Sequence, residues 1–236
     1  MRIATYLNTT AELVEAKSYN IWIGVSLGNK YFTKENIEKY IKWSILHTKE
    51  KVLVVIPDIL HAVNLEVLDH RTADRALKKA IKIGDVKARE VQEIIGNLSE
   101  DEKSKVRLVR WTDILQSDVY KNNIATIKAE FKLNSEFHDY IIDIVKHGRQ
   151  DRAERLERLS SGELDKLAEY VLLELPHFVN GVQGYGDYLV YTLLPYPGLN
   201  KLDDLCIGLS NNTMFPELAK KLNLTNKIAI LEAYVE

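Results

Sequence analysis

The sequence predicts a single α/β domain over residues 1–236, with a mainly parallel sheet flanked by helices. Two apolar, β-branched runs, residues 21–25 and 51–58, are separated by a helical pattern, and this order favours a right-handed βαβ unit. The second run is nearly continuous, which is typical of a parallel strand covered on both faces. A chain of 236 residues is long enough to bury a large core.

Composition excludes several classes of protein. Cys206 is the only cysteine, so the chain can form no internal disulfide and no thiolate metal cluster. We therefore expect a reduced, cytosolic location, and the first residues lack the pattern of a signal peptide. No apolar run approaches the roughly 20 residues of a membrane span. The net charge of −2 gives no global attraction to nucleic acid, and no heptad pattern predicts an oligomer, so we expect a monomer.

The remaining elements follow from periodicity and caps. Residues 1–19 are expected to form an irregular or helical lead-in. Thr33 is placed to cap a helix that runs to about residue 46. We predict further helices over about 71–95 (with Gly84 as a candidate break), 117–131, 135–147 and 162–174, and further strands over 106–111, 187–194 and 228–235.

Ser26 lies in a turn between the first strand and the first helix, with Gly24 and Gly28 on either side. Ligands of open α/β sheets bind at the carboxyl ends of strands, so this serine is a candidate functional residue. Residues 24–28 match the G-x-S-x-G of an α/β-hydrolase, but too few strands precede them and no triad histidine follows at the end of the chain, where His177 is the last. A turn built of small residues for geometry alone is the alternative.

A basic segment follows the second strand. Its seven cations outnumber three acids, and most recur at three- or four-residue spacing, so they share one helix face. Such a face is either simply solvated or contacts the phosphates of a nucleic acid. The cations are Arg71, Arg75, Lys78, Lys79, Lys82, Lys87 and Arg89.

A second candidate constellation lies in the predicted helix before Pro176. Tyr170 and Glu174 are four residues apart and therefore project from one helix face. Because proline disfavours helical geometry at the preceding residue, we expect Glu174 near the helix end. A carboxylate there faces the negative end of the helix dipole, which suits a visiting cation. The alternative is an exposed glutamate beside a packed tyrosine.

Together these stretches resemble one family, the tRNA-dependent cyclodipeptide synthases. The resemblance rests on residues 24–32 (GVSLGNKYF), on residues 170–178 (YVLLELPHF) and on Tyr191, and it covers about residues 20–235. It implies a Rossmann-like fold that resembles the catalytic domain of class I aminoacyl-tRNA synthetases. It also implies aminoacyl-tRNAs as substrates and no ATP, metal or other cofactor, because the ester of an aminoacyl-tRNA is already activated.

The resemblance implies a role for each site residue. Ser26 would attack the ester of a first aminoacyl-tRNA, and a second aminoacyl-tRNA would offer its amine to make a dipeptidyl-enzyme, which cyclises. Tyr170 and Glu174 would hold the first α-amino group, Tyr191 would assist proton transfer in the closing step, and Asn29 would shape the site. Thr192 follows Tyr191 where one branch of the family has histidine. Tyr196-Pro197 offers the Tyr-Pro pair of another branch, but Tyr191 is preferred because residues 187–191 have the character of the expected strand.

The resemblance also places a pocket for the first aminoacyl group at Trp22, Gly24, Trp111 and His177, and tRNA contacts on the basic segment. Two tryptophans would leave little volume, so we expect glycine or alanine as the first residue, unless both rings only fill the core. Two other functions remain open. One is a serine-nucleophile hydrolase or transferase that acts on a non-tRNA ester, and the other is a non-catalytic tRNA-binding module.

Overall fold

The computed structural model describes residues 1–147, 153–183, 189–224 and 226–236. Its main sheet has six strands in the order β1-β8-β7-β2-β3-β4, in which β1 is antiparallel to β8 and the other neighbours are parallel. The predicted fold class is therefore confirmed. The strands are β1 (Arg2–Leu7), β2 (Ile21–Gly24), β3 (Val52–Ile56), β4 (Val106–Arg110), β5 (Val182–Gln183), β6 (Val190–Tyr191), β7 (Leu193–Tyr196) and β8 (Ala229–Tyr234), of which β5 and β6 form a separate pair.

Helices cover both faces of this sheet. In the described part of the chain, none is long and apolar enough to cross a membrane. They are α1 (Ala11–Glu15), α2 (Lys34–His47), α3 (Asp58–Leu68), α4 (Ala73–Gly96), α5 (Glu100–Lys105), α6 (Trp111–Ile114), α7 (Asp118–Leu133), α8 (Ser135–His147), α9 (Ala153–Leu156), α10 (Ser161–Asn180), α11 (Lys201–Ser210) and α12 (Pro216–Leu222).

The central strands are buried on both faces. All five residues of β3 are buried, as its continuous apolar run predicts. Val52, Val54 and Ile56 belong to one apolar cluster, whereas Leu53 and Val55 belong to another. Because successive side chains of a strand point to opposite faces, these two clusters are the cores on the two sides of the sheet.

The sheet reverses its winding direction beside β2. Strand β2 pairs with β3 on one side and with β7 on the other, and all three are parallel. The chain proceeds from β2 to β3 and β4 in one direction, and from β7 to β8 in the other. The carboxyl ends of β2 and β7 therefore flank a topological switch point, which is where open α/β sheets bind their ligands.

The predictions for the two ends of the chain differ in outcome. The lead-in expected over residues 1–19 is wrong for residues 2–7, because β1 pairs with β8 as the edge of the main sheet. Its side chains alternate between exposed and half-buried, a weak signal in so short a segment. The last strand, β8, is confirmed. Of the strand predicted over 187–194, residues 187 and 188 lie outside the described residues. Residues 190–191 form β6 and residues 193–194 belong to β7, in two different sheets.

Gly84 does not break the basic helix. Helix α4 runs without interruption from Ala73 to Gly96, so the break considered at this glycine is absent. Gly84 is buried, and a Cβ atom there would lie 2.5 Å from Cβ of Asp58 at the start of α3. The glycine therefore permits the close approach of two helices.

Pro176 does not end its helix. Helix α10 continues to Asn180, which places Glu174 well inside it. A proline inside a helix forfeits one backbone hydrogen bond. Leu175, His177 and Val179 are all buried, and their packing offsets that loss. The expectation that Glu174 faces the negative end of the helix dipole is therefore wrong.

Candidate active site

A cavity of about 1030 Å³ opens at the carboxyl ends of β2 and β7. Its wall combines residues from the β2–α2 turn, from α10 and from the segment after β7. It therefore occupies the switch point of the sheet. Ser26, Asn29, Tyr170, Glu174 and Tyr196 all lie in this wall.

Ser26 is held by the turn that follows β2. The Val25 N–H donates to Val55 O at 2.9 Å, so the backbone stays tied to β3 up to the residue before the serine. The carbonyl of Ser26 accepts the N–H of Asn29 at 3.3 Å, and Asn29 Oδ1 accepts the N–H of Tyr31 at 2.9 Å. Ser26 is half-buried at the edge of the cavity. The amide of Asn29 thus stabilises the turn that presents the serine.

One face of α10 supplies another part of the cavity wall. Tyr170, Glu174 and Phe178 are spaced four residues apart, are all half-buried and all line the cavity. The helix begins with a capping box in which Ser160 and Glu163 exchange hydrogen bonds. The structure therefore brings a serine hydroxyl, a phenol and a carboxylate to one cavity, as the two sequence stretches suggest. Phe178 is a wall residue that the sequence analysis did not single out.

The two candidate late tyrosines have different surroundings. Tyr191 is fully buried in the apolar cluster that contains Trp22 and Trp111, and it is not part of the cavity wall. Tyr196 ends β7 and lies in the wall with Pro197 beside it. The preference for Tyr191 assumed one strand over residues 187–194, whereas the chain there divides between two sheets. Of the two tyrosines, only Tyr196 therefore lies in the cavity wall.

Three of the four residues predicted for an aminoacyl pocket lie in the cavity wall. Trp22, Gly24 and Trp111 line the cavity, and the ring of Trp22 packs edge-on against Phe178 at 5.2 Å. His177 instead lies behind this wall, where its ring stacks on Tyr120 at 5.1 Å. Burial lowers the pKa of His177 to about 3, so the imidazole is neutral near pH 7.

The predicted basic face lies on α4, except for Arg71, which precedes the helix. The side chains of Arg71, Arg75, Lys78, Lys79 and Lys82 are exposed, while Ala76, Ala80, Gly84 and Ala88 on the opposite side are buried. Lys87 differs from these cations, because it turns inward and donates to Phe32 O at 2.8 Å and to Glu90 Oε2 at 2.7 Å. Arg89 is exposed, and its Nε lies 3.4 Å from Asp85 O. Lys87 is therefore a structural residue and not part of the exposed face.

The described residues offer no obvious metal centre. Within residues 1–147, 153–183, 189–224 and 226–236, no three His, Cys, Asp or Glu side chains come together in a way that could hold a metal ion.

Solved structures share this fold. A cyclodipeptide synthase from Bacillus thermoamylovorans has a TM-score of 0.72 at 18% identity, with 95% of this chain and 92% of that chain covered. A Mycobacterium tuberculosis protein, whose structure is described as showing that cyclodipeptide synthetases are related to type I tRNA synthetases, has a TM-score of 0.65 at 18% identity over 82% and 80% of the chains. A cyclodipeptide synthase from Candidatus Glomeribacter gigasporarum, solved bound to Phe-tRNAPhe, has a TM-score of 0.57 at 15% identity over 93% and 90%.

The sequence itself also identifies the family. A comparison with curated protein sequences found no match. The family model described as cyclodipeptide synthase, however, matches residues 3–187, which include the Ser26 turn, the basic helix and the face of α10. This match spans most of the chain, and the chain therefore belongs to the cyclodipeptide synthase family.

Proposed function

We propose that this protein joins the aminoacyl groups of two aminoacyl-tRNAs into a cyclic dipeptide, with Ser26 as the covalent carrier. The observation that supports this most strongly is that Ser26, Tyr170 and Glu174 line the same cavity at the switch point of the sheet. Members of the family are transferases that use aminoacyl-tRNAs, and one structural neighbour is bound to such a tRNA.

The first half-reaction is an acyl transfer to the serine. The Ser26 oxygen attacks the ester carbonyl, the bond to the ribose oxygen breaks, and the tRNA leaves with a proton on that oxygen. The α-amino group of the bound aminoacyl group then lies against Glu174 and Tyr170. Glu174 takes the proton that this amine must lose before it can act as a nucleophile.

The second half-reaction extends the chain on the serine. The amine of the residue already on Ser26 attacks the ester carbonyl of the second aminoacyl-tRNA, the bond to the ribose oxygen breaks, and the second tRNA leaves with a proton on that oxygen. This atom balance corrects the expectation that the incoming aminoacyl-tRNA supplies the attacking amine. Attack by an incoming amine on the serine ester would leave the dipeptide on the tRNA. The new terminal amine then attacks the serine ester, the six-membered ring closes, and the Ser26 hydroxyl is restored. Tyr196 is the wall residue placed to pass a proton in this step.

Incubation with a full set of charged tRNAs tests the proposal, with mass spectrometry of the small-molecule products. We expect a diketopiperazine, and its mass spectrum identifies both amino acids. The absence of product together with retained tRNA binding would support the non-catalytic tRNA-binding module. The absence of both product and tRNA binding would support an enzyme that acts on non-tRNA esters.

The tRNA contact is expected on the exposed face of α4. Replacing both Lys78 and Lys82 by Gln should weaken tRNA binding by about tenfold and reduce the slope of log affinity against log salt by about 2, because each lysine that contacts a phosphate releases about one counterion. Binding assays at several salt concentrations measure both effects. The matched control replaces Lys128 and Lys132, two exposed lysines of α7, by Gln. An equal loss in both double variants would contradict a specific role for α4.

The pocket wall sets the size of the first residue. Trp22 and Phe178 narrow the cavity beside Gly24, so we propose a first residue as small as glycine or alanine. Replacing Trp22 by Leu should admit bulkier aminoacyl groups onto Ser26 and raise their acylation rates by about tenfold or more. The control is Trp43→Leu on α2, which lies outside the cavity wall. Rapid acylation of the unaltered protein by a bulky aminoacyl-tRNA would contradict the small pocket.

A further inference from the structure

One buried acid in the cavity wall has no part in the steps above. Asp203 is 5% exposed and lines the same cavity as Ser26 and Glu174. It lies in the first turn of α11, where its Oδ2 accepts the N–H of Asn200 at 2.7 Å. Asp203 and Glu174 are the two acids of the described cavity wall.

Helix capping does not explain this burial. Helices α5 and α10 also begin with a capping box, and their acids, Glu102 and Glu163, are only half-buried and make these hydrogen bonds at exposed positions. Hydrogen bonds from the cap lower the pKa of both glutamates. At Asp203 burial outweighs the same kind of bond and raises the pKa of the carboxyl to about 7. All three acids therefore cap a helix, but only Asp203 is also buried in the cavity wall.

No protein cation compensates Asp203 in the described residues. Lys201, two positions earlier in α11, forms its ion pair with Asp143 of α8 instead. The neighbouring Asp204 further disfavours the ionised form of Asp203. A buried carboxyl of this kind is stabilised as an anion only when a cation or hydrogen-bond donor enters the cavity.

We propose that Asp203 binds the α-ammonium group of the second aminoacyl-tRNA. This inference rests on the proposed function. Two aminoacyl groups bring two α-ammonium groups into one cavity, and Glu174 serves the first of them. Oδ2 of Asp203 is engaged by the helix cap, so the proposal assigns the contact with the ammonium group to Oδ1. The α-ammonium is the one cation that every second substrate carries, whatever its side chain.

The test separates the two half-reactions. In the Asp203→Asn variant the amide oxygen still accepts the Asn200 N–H, the volume is kept, and the cavity loses its carboxylate. Acylation of Ser26 by the first aminoacyl-tRNA, followed by intact-protein mass, should stay within about twofold of the unaltered protein. Transfer from the second aminoacyl-tRNA should slow by about tenfold or more, so the aminoacyl-enzyme accumulates. The control Glu163→Gln makes the same chemical change in a surface capping box and should change neither step.

A substrate analogue tests the proposal on the unaltered protein, without relying on the folding of a variant. A second tRNA that carries an α-hydroxy acid can still donate its acyl group, but it lacks the ammonium. The unaltered protein should use this analogue at least about tenfold more slowly than the aminoacyl-tRNA, and Asp203→Asn should hardly discriminate between them.

Several results would overturn the proposal. Equal use of both second substrates by the unaltered protein would overturn it, even if the variant fails to fold. An unchanged second transfer in Asp203→Asn would show a structural cap only, and a loss confined to certain second amino acids would assign Asp203 to a side chain. A protein that neither acylates Ser26 nor makes product would overturn the proposed function as well, whereas normal acylation and product with no effect of Asp203 would overturn this inference alone.

Discussion

Replacing Ser26 by Ala abolishes cyclic dipeptide formation in our account, with a loss of at least about 10³-fold, because no other group carries the acyl intermediate. The serine is half-buried in a turn whose hydrogen bonds are made by its carbonyl and by Asn29, so the variant should fold normally. Its affinity for tRNA should also be unchanged, because the exposed cations lie on α4.

Product analysis with charged tRNAs measures this loss, and filter binding measures the retained tRNA affinity. The matched control is Ser44→Ala, which removes a buried hydroxyl on α2 outside the cavity wall. Product formation by Ser26→Ala at a rate near that of the control would refute covalent catalysis by this serine.

Replacing Glu174 by Gln should produce the second-largest effect, a fall of about 10²-fold or more in cyclic dipeptide formation. Glutamine has nearly the same shape, but it cannot take a proton from the α-amino group or attract it as an ion. Acylation of Ser26 should fall less than the transfer that follows it, because only the transfer requires a neutral amine. Single-turnover kinetics with intact-protein mass separate the two steps.

A second glutamate on the same helix provides the control. Glu169 is one residue before Tyr170, and its carboxylate pairs with Lys166 at 3.0 Å. Glu169→Gln removes a surface ion pair, so its effect on rate should be small. Equal effects of the two substitutions, or a Glu174→Gln variant with full activity, would contradict the role of Glu174.

The parts of the fold that depend on local chemistry could be predicted from the sequence. The run in β3 and the cap at Thr33, whose side chain accepts the Asn36 N–H at 3.2 Å, are properties of a few neighbouring residues. Gly84 and Pro176 were misjudged because local propensity disfavours a helix at both positions, while packing of the surrounding helices stabilises it.

The candidate site was predicted as far as spacing along the chain determines it. Tyr170 and Glu174 share a face because one helix turn separates them, and Ser26 follows from a strand and two glycines. The different surroundings of Tyr191 and Tyr196 could not be predicted, because the division of the chain between two sheets depends on partners distant in sequence. Asp203 carries the sequence signal of a helix cap, and only the assembled cavity shows that it is buried.

The aminoacyl-enzyme is the intermediate on which the whole account depends, and its mass is the most direct measurement. The protein is mixed with a single cognate aminoacyl-tRNA, and intact-protein mass spectrometry is followed by peptide mapping. The account predicts a mass increase of one aminoacyl residue on Ser26, absent in Ser26→Ala. Cyclic dipeptide formation with no covalent species, or with the label on another residue, would contradict it.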